Sequence, residues 1–307
     1  MTFHTAPSDL RALALGATLY MPVIHHNAAR AFAGDPVAGA RSIVLCLEDA
    51  LTEADIPQAL LALEQGLRHR LDEGVDNTAC MTFVRPRNLD MARAIARMDG
   101  VGTLAGFVAP KMTPDNAGAW LQLSEERGVP LMPTLETADM FQPSTVETMR
   151  RLFDSHARQN ILAVRVGGND LMGALGLRRK HGQMSYESAL AWPLQMIAAQ
   201  MMAAGYAVTA PVWEIVDDVE TLKREVAEDV SRGFSGKTAI HPSQIPHIHA
   251  AFQPSADEVA QAHAILDTQA KAVFMMGGAM CEPATHARWA QKTLAKAHLY
   301  GVQGQPV

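Results

Sequence analysis

The chain has 307 residues, 48% of them hydrophobic and 19% charged, which is enough apolar side chain for a sizeable core and argues against disorder. A formal net charge of −6, with no run of five or more Lys or Arg, argues against a nucleic-acid partner, which would need a basic patch. The apolar run from Leu13 to Ile24 contains Gly16 and Pro22 and is too short to span a bilayer, and no basic region precedes an apolar signal core. No membrane partner is expected, and a cytoplasmic location is.

Eight short runs rich in Val, Ile, Leu or Thr predict strands at 17–22, 42–47, 80–85, 104–110, 129–134, 162–166, 206–211 and 238–242. Cys46 and Cys80 fall inside two of them and Cys281 lies far away, which reads as buried thiols in a reducing compartment. His25 and His26 are adjacent, so on a regular element they would point apart; they read as loop. Helices are predicted between most strands. One has Thr113 as N-cap, Pro114 in its first turn and Gly128 as its stop. Another opens on Ser144 and Glu147 at capping-box spacing. A third carries Val219, Leu222, Val226 and Val230 on one face and stops at Gly233. The abundant methionines read as adaptable core packing.

Strands alternating with helices, with nearly continuous apolar cores, indicate a parallel sheet covered on both faces. Eight repeats favour a closed (β/α)8 barrel over 1–252, with a doubly wound open sheet as the competing α/β reading. Residues 253–307 read as a C-terminal helical extension, a lid or an oligomer contact. In it two helices, the first opened by a Ser255/Glu258 capping box, are joined by a flexible "MMGGAMCEP".

In a parallel barrel, catalytic groups come from the C-terminal ends of the strands. Those ends here carry Glu48 and Asp49, Arg85 and Arg87, Lys111, Glu136, Asp170, Glu214 and His241. The stretch "LAVRVGGNDLMGALG" (162–176) is the clearest case: a strand ends in Gly167 and Gly168, which let a ligand approach the backbone, and Asp170 follows. The competing reading makes Asp170 the cap of a helix beginning near Leu171. No His/Cys cluster has zinc spacing, whereas two carboxylates with water and substrate oxygens suit a hard cation, Mg2+ or Mn2+. Arg85, planar and always charged, suits a bidentate grip on a carboxylate, with Lys111 and Gly168 as further substrate contacts. A metal and an arginine describe a site for a small oxo or hydroxy acid whose carbon–carbon bond is made or broken through an enolate, the metal polarising the oxygen that becomes negative. No G-x-G-x-x-G or Walker loop supports nucleotide chemistry.

The segment "GFSGKTAIHPSQI" (233–245) resembles the GF-x-GK-x-x-IHP-x-QI segment of the citrate lyase beta-subunit-like branch of the HpcH/HpaI aldolase superfamily. "VLCLEDAL" (44–51), "FVRPRN" (83–88), "APKM", "TLETA" (134–138) and "GGNDLM" (167–172) are similar to further motifs of that family, in order over roughly residues 15–260. The resemblance implies a TIM barrel, a homo-oligomer, Mg2+, and cleavage or condensation of acyl-CoA or related acid substrates. It assigns Glu136 and Asp170 as metal ligands and Arg85 as the substrate-carboxylate or enolate-stabilising group, with Glu48 and Asp49 as supporting or proton-handling catalytic residues. Where the family often has Arg-Ser at the start of its first strand, this chain has Gly16 and Ala17, and Val23 replaces a glycine. Weak binding of free CoA is therefore expected. The expected function is a Mg2+-dependent carbon–carbon lyase or aldolase on a carboxylated substrate; the alternative is a catalytically weak binding or assembly subunit.

Overall fold

All eight apolar runs become strands of one parallel sheet. The computed structural model describes residues 8–156 and 158–305. The strands are β1 (Gly16–Pro22), β2 (Ser42–Cys46), β3 (Met81–Arg85), β4 (Gly106–Ala109), β5 (Leu131–Leu135), β6 (Val164–Val166), β7 (Val208–Thr209) and β8 (Gly236–Ala239). They pair in chain order from β1 to β7, and β8 pairs with β1. Between β7 and β8 the ring closes through a bridge from Ala210 to Lys237, with Ala210 N donating to Gly236 O at 2.8 Å. This is a (β/α)8 barrel, and the open-sheet alternative is discarded. No described helix is long and apolar enough to cross a membrane.

The twofold alternation of side chains along each strand divides the barrel interior into layers. Val44, Phe83, Val108, Met132 and Ala163 form a buried apolar layer. Two residues further along the strands, Cys46, Arg85, Thr134 and Arg165 line a cavity of about 410 Å³. The same pleat that makes one layer dry therefore delivers polar groups to the next.

Local details correct several expectations. The helix Pro114–Arg127 has the Thr113 cap, which pairs with Asn116, and ends at Gly128 with φ 64°. The helix Pro143–Asp154 starts two residues earlier than a Ser144 cap predicts, with Gln142 as N-cap; Ser144 lies in its first turn and Glu147 pairs with Arg151 instead of closing a capping box. The helix Gly168–Ala174 begins before Leu171, with Gly167 as N-cap, so Asp170 sits inside the first turn rather than at the cap. Strand β8 begins at Gly236 rather than Thr238. A Cβ at Gly236 would lie 2.8 Å from Gly16 O, so the close β1–β8 seam uses glycine there. On the helix Val219–Ser231, Leu222 and Val226 are buried as expected, Val219 and Val230 only partly, and the other buried residues are Thr221, Glu225 and Asp229.

The chain divides into two compact units, the second beginning at Pro246. In the second, the helices Ala256–Leu266 and Pro283–Tyr300 pack through Ala262, Ile265, Cys281 and Ala290. Ser255 and Glu258 form the predicted capping box. The segment read as a flexible joint is instead an antiparallel hairpin, β9 (Phe274–Met276) and β10 (Ala279–Cys281). Its two turn residues, Gly277 and Gly278, have φ of 58° and 79°, values that a two-residue hairpin turn requires. The three cysteines are free and buried, Cys46 and Cys80 as their apolar runs imply.

Candidate active site

Arg85, at the end of β3, is the hub of the rim. Its Nε donates to Glu48 Oε2 at 2.8 Å and its Nη2 to Glu136 Oε1 at 3.1 Å. Glu48 follows β2 and Glu136 follows β5, so one guanidinium ties three strand ends together. Lys111, after β4, joins the cluster twice. Its backbone N–H donates to Glu136 Oε1 at 2.7 Å, and its ammonium lies 2.8 Å from Glu48, 3.2 Å from Asp49 and 3.7 Å from Asp170. Holding both contacts puts Lys111 at φ 47°, a left-handed conformation uncommon for a residue with a side chain.

Burial pushes the Glu136 carboxyl up to about 7 against the charge of Arg85, and nearby Asp170 adds to the rise. Asp49 behaves oppositely: burial is outweighed by hydrogen bonds with Glu48 and Lys111, and its carboxyl falls below the usual range. Four acids face two cations here, so carboxyl groups outnumber cations by two at this rim. Glycines make the room. A Cβ at Gly167 would fall 2.1 Å from Glu136 Oε2, and one at Gly168 would meet Pro211 at 2.8 Å.

Of the predicted strand-end residues, Glu48, Asp49, Arg85, Glu136, Gly168 and Asp170 line the one cavity, and Lys111 reaches its acids. Arg87, Glu214 and His241 do not join them. Arg87 bonds Glu53 and donates to the carbonyls of Leu47, Glu48 and Leu51, clasping the loop after β2. Glu214 faces Arg178 at 3.8 Å, and His241 pairs with Ser243 in its own turn. Among the described residues, no group of three or more His, Cys, Asp or Glu is arranged to enclose a metal unaided.

Sequence reasoning missed two sets of residues. Arg165 lines the same cavity from β6, completely enclosed among hydroxyls. Behind the sheet, Lys237 reaches Glu225 at 2.9 Å and Asp229 at 2.8 Å, while Arg179 reaches Glu225 at 3.1 Å and donates to Val212 O. The signal for the second set was present: acids four residues apart on a helix face otherwise occupied by Leu222 and Val226. The segment 233–245 is explained by this wall. Lys237 bridges Glu225 and Asp229, Thr238 meets Arg165, and Gln244 ties the turn at Ile240 to Trp213 O at 2.8 Å.

A family model described as C-C bond lyase of the TIM-barrel fold matches residues 9–302. The chain belongs to that family. Among its relatives, a (3S)-malyl-CoA thioesterase of Cereibacter sphaeroides is 29% identical over 173 residues, covering 54% of this chain and 58% of that protein. The chain thus matches less than two thirds of that relative's length. A citrate lyase subunit beta-like protein of Mycobacterium tuberculosis is 26% identical over 235 residues, covering 75% of this chain and 77% of the relative. The structure of CitE from Mycobacterium tuberculosis in complex with magnesium, acetoacetate and coenzyme A superposes with a TM-score of 0.68 at 24% identity, over 93% of this chain and 99% of that one. Family and relatives agree with the citrate lyase beta-like motifs read in order along the sequence.

Proposed function

We propose that this chain is a Mg2+-dependent carbon–carbon lyase or aldolase acting on a small carboxylated substrate, a 2-oxo or hydroxy acid, through an enolate. The observation that carries the reading is the excess of acids over cations at the strand ends, four against two, beside a cavity of about 410 Å³. The donor set fits a hard divalent ion: only carboxylate oxygens converge, and the Lys111 ammonium already sits among Glu48, Asp49 and Asp170 as a cation would. Glu136 and Asp170 would hold Mg2+, or Mn2+, with water and substrate oxygens completing its shell. When bound, the ion supplies Lewis-acid polarisation of the oxygen that turns negative as the bond breaks.

The remaining work falls to the chain's own side chains. Arg85 fixes the orientation of Glu48 and Glu136 and brings a permanent positive charge to the wall where the substrate's anionic carbonyl end would lie. Glu48 and Asp49 flank that position and are the candidates for taking and returning a proton. Gly167 and Gly168 admit the ligand against the backbone. Magnesium in the CitE complex supports the cofactor assignment. A free acid is favoured over a thioester because Gly16 and Ala17 bring no cation to the start of β1.

The test is calorimetry of the Mg2+-loaded protein with oxaloacetate, pyruvate and free CoA. Mg2+-dependent binding of an oxo acid with weak CoA binding is the expected result. Micromolar CoA binding without any response to an oxo acid would restore the thioester lyase.

A further inference from the structure

A protonated guanidinium in a barrel interior calls for a compensating anion, because an unpaired buried charge is among the least favourable features a fold can carry. Arg165 forms no ion pair: the acid that acts on it, Glu136, is held by Arg85 and by the Lys111 backbone instead. Its Nη2 donates to Thr238 Oγ1 at 2.5 Å, its Nη1 lies 3.5 Å from Thr18 Oγ1, and its guanidinium stands 5.2 Å from the Tyr20 ring. Every one of these partners is neutral. Among the described residues, no carboxylate comes within ion-pair distance of Arg165. Arg85, by contrast, is already committed to Glu48 and Glu136.

A second observation points to the same place. Thr134 is the register partner of Arg165 on β5, and Thr209 is its partner on β7. Both are buried, and neither hydroxyl has a hydrogen-bond partner. Thr134 lines the cavity along with Arg165. The layer at the cavity floor therefore holds a full positive charge and orphaned hydroxyls, each able to donate to an anion.

We propose that Arg165, with the hydroxyls of Thr134 and Thr238, seats a second carboxylate of the substrate, so that the preferred ligand is a short-chain diacid whose other end meets the rim acids and their metal. The inference rests on the lyase reading for that other end only. Burial holds the Arg165 guanidinium below the ordinary arginine value, and bringing in a carboxylate would relieve this. A phosphate would satisfy the same charge, so it forms a separate arm of the test.

The experiment measures affinities by calorimetry for matched pairs, malonate with acetate, succinate with propionate and oxaloacetate with pyruvate, with and without Mg2+, alongside inorganic phosphate. At least one diacid should bind about tenfold or more tighter than its monoacid. Arg165→Met should erase that difference, cost the monoacids far less than the diacids, and not lower the Tm, since a fitted apolar side chain replaces a buried charge without an ion pair. Thr134→Val, which keeps the shape and removes only a hydroxyl, should weaken the diacid by a smaller factor. The proposal is overturned if no diacid outbinds its monoacid, if phosphate outbinds every diacid, or if Arg165→Met keeps full diacid affinity. A Tm loss in Arg165→Met, with diacid and monoacid weakened equally and Thr134→Val silent, makes the arginine purely structural and also overturns it. Absence of Mg2+ binding to the unmodified protein would sink the lyase reading alone, because the diacid preference is read without metal as well.

Discussion

The barrel holds two charged clusters, one at its rim and one behind its sheet, and they are built on opposite terms. The wall cluster of Arg179, Lys237, Glu225 and Asp229 is balanced, two cations against two acids, and its ion-paired side chains are at most 1% exposed. Tyr186 closes it by donating to Asp229 at 2.5 Å. The rim cluster also has two cations, Arg85 and Lys111, but four acids, and Lys111 and Asp49 open to solvent at 45% and 63% exposure. A balanced, sealed cluster has no charge left for a ligand and acts as structure. An unbalanced, open one attracts ions and has a path for them to enter. Burial of charge alone would have marked both as functional; the sign of the remainder separates them.

The largest test of that contrast is Glu225→Ala, which leaves Arg179 and Lys237 buried without an adequate partner. It should lower unfolding free energy by about 3–5 kcal/mol in urea titration. A change under about 1 kcal/mol would mean the wall is not a load on stability. At the rim, Asp170→Asn should do the reverse. Its side chain is 35% exposed, so the fold should hold, while calorimetry should find Mg2+ binding weaker by at least the roughly 10- to 100-fold expected even of a residue that only supports a ligand. Unchanged metal affinity would remove Asp170 from the site.

Arg85→Lys keeps the charge but loses the fork that spans Glu48 and Glu136. A drop in kcat/KM of about tenfold or more, near 1.4 kcal/mol, is expected in steady-state assays of the proposed lyase reaction. Near-normal kinetics would assign the anionic end of the substrate elsewhere. The smallest effect should come from Lys223→Ala, on the outer face of the helix that carries Glu225. Its pair with Glu220 is exposed, and denaturation should register at most about 0.5 kcal/mol. A larger loss would show that position on the helix, not burial, sets the wall's contribution.

Much of the fold was legible because each strand is an apolar run with a turn signal after it, and tertiary pairing needed no further information. Strand β8 was misjudged at its start because Gly236 and Lys237 do not look like a buried strand, yet the lysine is sealed by acids 12 and 8 residues before it. The hairpin in the second unit was missed for a different reason: two glycines between short apolar runs fit a flexible joint and a tight turn equally well by composition. The rim acids were readable as strand-end residues. Arg165 was not, since one charged residue inside an apolar run gives no sign of what surrounds it, and its hydroxyl partners come from strands far away in the chain.

The seam between β1 and β8 bears on how the molecule comes into being. Gly16 pairs with Gly236, so the ring joins residues at nearly opposite ends of the barrel sequence, the costliest contact in loop-closure entropy. During synthesis, every strand through β7 leaves the ribosome before the partner that completes the circle exists. Until Thr238 emerges, Arg165 lacks its closest hydroxyl and β1 presents an open edge. A nascent chain halted before Gly236 would therefore contain the acids at its strand ends but no finished chamber, and would be a substrate for chaperones rather than a partial enzyme.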